Sequence, residues 1–100
     1  MINSEISVYV PAFNAEKTIK LCINSIFAQT IKPKTILIIN DCSTDMTAEI
    51  LNSFGDKIKV IQNKTNLGLS HSMNIATDYL NTRYISKIDG FCSHFLQIHI

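Results

Sequence analysis

Chemistry in this chain is carried by a few polar residues set at the ends of apolar runs. Asp41 follows the aliphatic run Ile36–Ile39 with one residue between, and Asp45 lies four residues on. Asp89 closes a second strand-like segment, YISKI. Asn14, Glu16 and Asn66 stand just after or between other apolar segments. A carboxylate fixed at a strand tip can accept hydrogen bonds from a nucleobase N–H or a ribose hydroxyl. The same residue types can also simply shape a turn or cap a helix. Both readings stay open for Asp41, whereas Asp45 is better read as stabilising the first turn of a helix.

Other chemistries find less support. The three glycines form neither GxGxxG nor GxxxxGK[ST], so no glycine-rich phosphate loop is present. Phosphates held here would call for a metal ion with carboxylate ligands, and Asp89 is the first candidate. His71, His94 and His99 have no zinc-like spacing. Ser70, Ser72 and Cys42 have no evident general base beside them, which argues against nucleophilic catalysis. Cys22, Cys42 and Cys92 match no CxxC pattern and read as reduced packing thiols.

These residues need elements to position them. "ISVYV" (Ile6 to Val10) reads as a strand ended by Pro11. From Ala15 to Gln29 the apolar residues Ile19, Cys22, Ile23, Ile26 and Phe27 form a helical stripe, with Asn14 as N-cap. "TILII" (Thr35 to Ile39) is apolar on both faces, as an interior parallel strand requires. Ser43 or Thr44 then caps a helix running to about Ser53, and Gly55 supplies a left-handed C-terminal residue. A third strand is expected over Ile58 to Ile61. A third helix is expected over Ser70 to Leu80, buried through Met73, Ala76 and Leu80, and a fourth strand over Tyr84 to Ile88. The order βαβαβαβ predicts a three-layer α/β/α domain around a mostly parallel four-stranded sheet. In such a sheet the polar segments Pro11 to Glu16, Asn40 to Asp45, Asn63 to Ser70 and Asp89 onward meet at the carboxyl ends of the strands.

With 100 residues and 46% hydrophobic content, the chain is of single-domain size and can bury a core. A net charge of +1, with scattered Lys and Arg, argues against a dedicated nucleic-acid or membrane-electrostatic surface. No apolar run approaches the ~20 residues of a transmembrane helix, and the N-terminus lacks a signal-peptide pattern. A cytoplasmic location, with peripheral contact at the inner membrane face, is expected.

In order and spacing, "ISVYVPAFNAEKTIKLCINSIFAQT", "ILIINDCSTDMTAEIL", "NKTNLGLSHSMNIA" and "YISKID" resemble the N-terminal half of a family 2 glycosyltransferase of GT-A (Rossmann-like) fold. The resemblance implies that Pro11, Ala12, Phe13 and Glu16 lie beside the nucleoside of a nucleotide-sugar donor. It implies that Asp41 contacts the base, usually uracil, with Asn66 and Gly68 nearby. It implies that Asp89 is the first ligand of a Mg2+ or Mn2+ ion, and that the acceptor is a saccharide or a lipid-linked cell-envelope molecule. Two departures stand out. Asn40-Asp41 replaces the more usual Asp-Asp, and Gly90-Phe91-Cys92 follows Asp89 where Ala-Asp-Asp is expected. Residues 1–89 are therefore expected to form the donor-binding part. Residues 90–100 read as a non-family tail, of the kind a frameshift or premature stop leaves. Such a chain would bind the donor without catalysing transfer, its catalytic base lying in a second half. A stand-alone nucleotide-binding or interaction module is the alternative. A receiver-like phosphoacceptor domain, with Asp41 as acceptor, is disfavoured because no acidic pair stands near the end of the first strand. A fourth strand left with an exposed edge or a half-covered face, onto which the tail's Phe91, Phe95, Leu96, Ile98 and Ile100 are expected to pack, predicts marginal stability.

Overall fold

The computed structural model describes residues 2–88. The elements are β1 (Ile2–Ala12), α1 (Ile19–Phe27), β2 (Lys32–Asn40), α2 (Thr47–Asn52), a 3-10 turn (Gly55–Lys57), β3 (Lys59–Gln62), α3 (Leu69–Tyr79) and β4 (Tyr84–Lys87). The strands form one parallel sheet in the order β3-β2-β1-β4. The chain steps outward twice from β1, then returns to its other side. The switch point therefore lies between β1 and β4, where such sheets place their ligand crevice.

The reversal puts helices on both faces. Val8, Val10, Ala12, Ile36 and Ile38 pack with Ile19, Cys22, Ile23 and Ile26 of α1 and Leu51 of α2. Tyr9, Leu37 and Ile39 point the other way and pack with Ala76 and Leu80 of the α3 segment. The register pairs Val8 with Ile36, Tyr9 with Leu37 and Val10 with Ile38, so each face is built from matched rows of side chains. Ile38 and Ile39 are fully buried on opposite faces, and truncating either to Ala would cost about 2–5 kcal/mol. The expected three-layer class is thus found.

Several local expectations are corrected. Pro11 does not end β1, which continues to Ala12 alongside β2. The Ile88 N–H donates to the Tyr9 carbonyl, so the next donor needed toward β4 is the Pro11 nitrogen, which carries no hydrogen. Proline therefore ends the β4 ladder and spares the β2 ladder. The first helix begins at Ile19, and Asn14 is not its cap. The second helix begins at Thr47, so neither Ser43 nor Thr44 caps it. Met73 is exposed; Ser72, Ala76 and Leu80 form the buried line of α3 instead. Ser72 fits there because its hydroxyl donates to the Gly68 carbonyl one turn back, at 3.3 Å. Gly55 takes the left-handed conformation expected of it, φ +59°.

Among the described residues β4 is an edge strand, and Tyr84 and Ile85 are partly exposed on it. Thr82 Oγ1 donates to the buried Ser7 Oγ at 2.8 Å, fastening the α3–β4 connection to β1. Asp89 and the tail from Gly90 to Ile100 lie outside the described residues.

Candidate functional site

The strand tips are locked side by side at the carboxyl edge. The Asp41 N–H donates to the Ala12 carbonyl at 2.8 Å, and the Asn63 N–H donates to the Asn40 carbonyl at 2.9 Å. Asn40 is buried; its amide donates to Gln62 Oε1 at 2.8 Å while its Oδ1 accepts from the Ser43 N–H at 3.2 Å. An amide supplies a donor and an acceptor at once, which a carboxylate at position 40 could not do.

The Asp41 carboxylate is buried and gathers the loop after β3. Its Oδ1 accepts from Asn63 Nδ2 at 2.9 Å and from the Leu67 N–H at 2.8 Å. Its Oδ2 accepts from the Gly68 N–H at 2.9 Å. Burial pushes this carboxyl's pKa up, but the hydrogen bonds from Leu67, Asn63 and Gly68, with His71 nearby, outweigh it and hold the group below the usual carboxylate value. A carboxylate offers about four lone-pair positions. Three are taken by Asn63, Leu67 and Gly68, and the fourth, on Oδ2, has no partner among the described residues. Gly68 has φ +85° and ψ 174°, a region open essentially to glycine alone. That conformation turns its N–H onto Asp41 at the start of α3, where the helix dipole also favours a negative charge.

A second network joins the β1–α1 loop to the β2–α2 loop. Asn14 has φ +48°; its N–H donates to Ser43 Oγ at 3.0 Å, and its Oδ1 accepts from the Thr44 N–H at 2.8 Å. The Ala15 N–H donates to Thr47 Oγ1 at 3.0 Å, and the Glu16 N–H donates to Asp45 Oδ2 at 3.2 Å. Asp45 Oδ1 accepts from both the Thr47 N–H and the Thr47 hydroxyl. Asp45 thus supports the start of α2, as expected, and reaches across to the first loop as well. Desolvation raises its pKa, but the Thr47 hydroxyl, the Thr47 N–H and the Glu16 N–H lower it more.

Among the expected site residues, Asp41 and Gly68 meet directly. Pro11 and Ala12 lie in β1 beside the β2 tip, with Ala12 buried. Phe13 is 45% exposed, and the Glu16 and Asn66 side chains face solvent. Sequence reasoning missed Asn63, whose position directly after β3 mirrors that of Asp41 after β2. It also missed the use of Asn14, Ser43 and Thr44 as a cross-loop clasp.

Among the described residues no three His, Cys, Asp or Glu side chains converge as a metal site. Asp41 and Asp45 each accept three N–H or O–H bonds in separate networks, so they do not converge on a metal centre. Any such ion would depend on residues outside the described ones.

Comparison with known proteins agrees with this architecture. The sequence model of Glycosyl transferase family 2 matches residues 7–93. An uncharacterized glycosyltransferase of Haemophilus influenzae is 40% identical over 88 residues, covering 85% of this chain and 27% of that protein. The UDP-Glc:alpha-D-GlcNAc-diphosphoundecaprenol beta-1,3-glucosyltransferase WfgD of Escherichia coli is 33% identical over 86 residues, covering 85% of this chain and 34% of that protein. The crystal structure of residues 1–349 of Staphylococcus aureus TarS in complex with UDP-GlcNAc superposes with a TM-score of 0.77 at 29% identity, covering 87% of this chain and 26% of that one. The chain thus spans about a quarter to a third of the length of these relatives. A parallel sheet ordered β3-β2-β1-β4, polar loops clasped at its carboxyl edge and a family match over residues 7–93 lead to one conclusion: this chain belongs to glycosyltransferase family 2.

Proposed function

We propose that this chain is the donor-binding part of a glycosyltransferase that transfers a sugar from a nucleotide-sugar, UDP-linked, to a saccharide or cell-envelope acceptor. The observation that carries this reading is the convergence of β1, β2 and the Asn63–Gly68 loop on Asp41, which keeps one acceptor position on Oδ2. Uracil presents a single imide N–H, the donor that this position suits. Phe13, next to the Ala12 carbonyl that binds Asp41, offers an exposed aromatic face for the base. Pro11, Ala12, Glu16, Asn66 and Gly68 complete the proposed nucleoside surface. The UDP-Glc in the name of WfgD and the UDP-GlcNAc bound to TarS support a UDP-linked donor.

In this reading Asp89 contributes to a Mg2+ or Mn2+ site, and the ion, when bound, offsets the charge of the diphosphate leaving group. The catalytic base belongs to a further part of the protein, so these 100 residues by themselves bind the donor without transferring sugar. No helix among the described residues is long and apolar enough to cross a membrane. A cytoplasmic site of action, where nucleotide-sugars are drawn on, belongs to the same reading.

Isothermal titration calorimetry with UDP, UDP-sugars and ADP, with and without Mn2+, tests it. Saturable binding of the uridine nucleotides, with ADP much weaker, is the expected result. A folded protein that binds none of them, or all of them equally, overturns it.

A further inference from the structure

The end of the sheet opposite the nucleotide-facing loops carries a groove of about 470 Å3. Its floor includes Phe27, Pro33 and Ile36, buried or half-buried, while Lys34 and Lys57 are exposed at its rim. Lys32 is held in place there, its Nζ donating to the Phe27 and Gln29 carbonyls at 2.8 and 2.6 Å. That contact closes the C-terminus of α1. A smaller hollow of about 80 Å3 continues the surface past Asp56 to Lys59.

The charge here is concentrated. Four of the chain's nine Lys and Arg residues line the two hollows, against one of its eight Asp and Glu residues. The local balance is +3 in a chain of net charge +1. Among the described residues none of these lysines is in an ion pair. At about 0.1 M salt the Debye length is about 10 Å, so neighbouring lysines act on a partner together.

We propose that this groove seats the domain on an anionic phospholipid surface, the exposed lysines meeting phosphate oxygens and the apolar floor meeting the lipid below the headgroup. Ammonium groups are strongly hydrated point charges that suit phosphate without demanding a fixed geometry. The larger groove offers side-chain donors, all of them ammonium, and no side-chain acceptor. A phospholipid, whose phosphate and ester oxygens only accept, satisfies that lining. An acidic peptide would bring backbone N–H groups that the lining side chains cannot bind. The sheet's two ends would then be divided, one for the donor and one for the membrane. This surface is independent of the nucleotide reading.

Sedimentation of the full chain with vesicles of phosphatidylglycerol and phosphatidylcholine tests the proposal, with pure phosphatidylcholine vesicles, a polyglutamate peptide and inorganic phosphate as separate arms. Binding to the anionic vesicles alone is expected. The double variant Lys34→Ala/Lys57→Ala should bind about twenty-five-fold more weakly, since each lysine near such a surface is worth about fivefold. Lys17→Ala/Lys20→Ala removes the same charge elsewhere and should change binding less than threefold. Equal losses in the two variants would reduce the effect to net charge and overturn the proposal. So would absence of vesicle binding, or polyglutamate or phosphate displacing the protein from vesicles. Thermal melts of both variants confirm that folding is retained, as expected for exposed side chains.

Discussion

The Asp41 carboxylate and the Gly68 N–H, 27 residues apart in sequence, meet at 2.9 Å. This bond, with those from Asn63 and Leu67, fixes the loop before α3 to the tip of β2. In Asp41→Asn the new amide must turn a donor toward at least one of the three existing donors. The expected cost is about 2 kcal/mol, a fall in melting temperature of roughly 10 °C for a domain of this size. Uridine-nucleotide affinity should fall with it. Asn63→Ala separates the two roles of Asp41: it leaves the Oδ2 position intact, so a loss of affinity there measures loop placement rather than base contact. Calorimetry of both variants checks this.

Gly68 and Gly55 both have positive φ but differ in consequence. A Cβ on either meets no atom within 4 Å, so the cost of substitution is conformational alone. Gly68→Ala should cost about 1–3 kcal/mol, because φ +85° with ψ 174° is a region other residues avoid. Gly55→Asn should cost only a few tenths, because φ +59° lies in the left-handed region that Asn tolerates. Urea unfolding of the two variants checks the contrast. Equal costs would mean that the Gly68 conformation is not maintained in solution.

Asn14 and Cys42 are the two non-glycine residues with positive φ among those described. Asn14 compensates by bonding Ser43 and Thr44, so Asn14→Ala should cost about 1–2 kcal/mol. Cys42 has only its Sγ contact to the Lys64 carbonyl at 3.3 Å. Cys42→Gly relieves the strained backbone and should be neutral or stabilising by up to about 1 kcal/mol. Destabilisation beyond 1 kcal/mol would show that the thiol contact holds the loop.

Acid should act through the same carboxylates. The Asp41 and Asp45 pKa values are lowered in the folded chain, so the folded state binds fewer protons than the unfolded state. Their contribution is fully present above the unfolded carboxylate pKa, about 3.9, and is lost as pH falls below it toward the folded values. Stability should therefore be nearly flat from pH 7 to about 5 with respect to these groups and fall steeply below about 4. Asp41→Asn should flatten that fall. Melting curves across this range, with midpoints expected to stay below ~60 °C, provide the check.

Sequence by itself determined the layered class, because aliphatic runs alternate with 3.6-residue stripes and both follow from local periodicity. It also determined the family, through short strings around Pro11, Asp41, Gly68 and Asp89. It placed Gly55 correctly, because a C-terminal glycine is a local signal. Local signals misled where distant groups competed for the same atoms. Asn14, Ser43 and Thr44 all looked like helix caps, yet they bond one another across some 30 residues. Met73 and Ser72 both fit a helical stripe with Ala76, and it is Ser72 that is buried, its hydroxyl bonded to the Gly68 carbonyl. Only the tertiary structure decided what Asp41 does. Two parallel crossovers carry Asn63, Leu67 and Gly68 to it, and no local pattern encodes a hydrogen bond formed by the return of the chain.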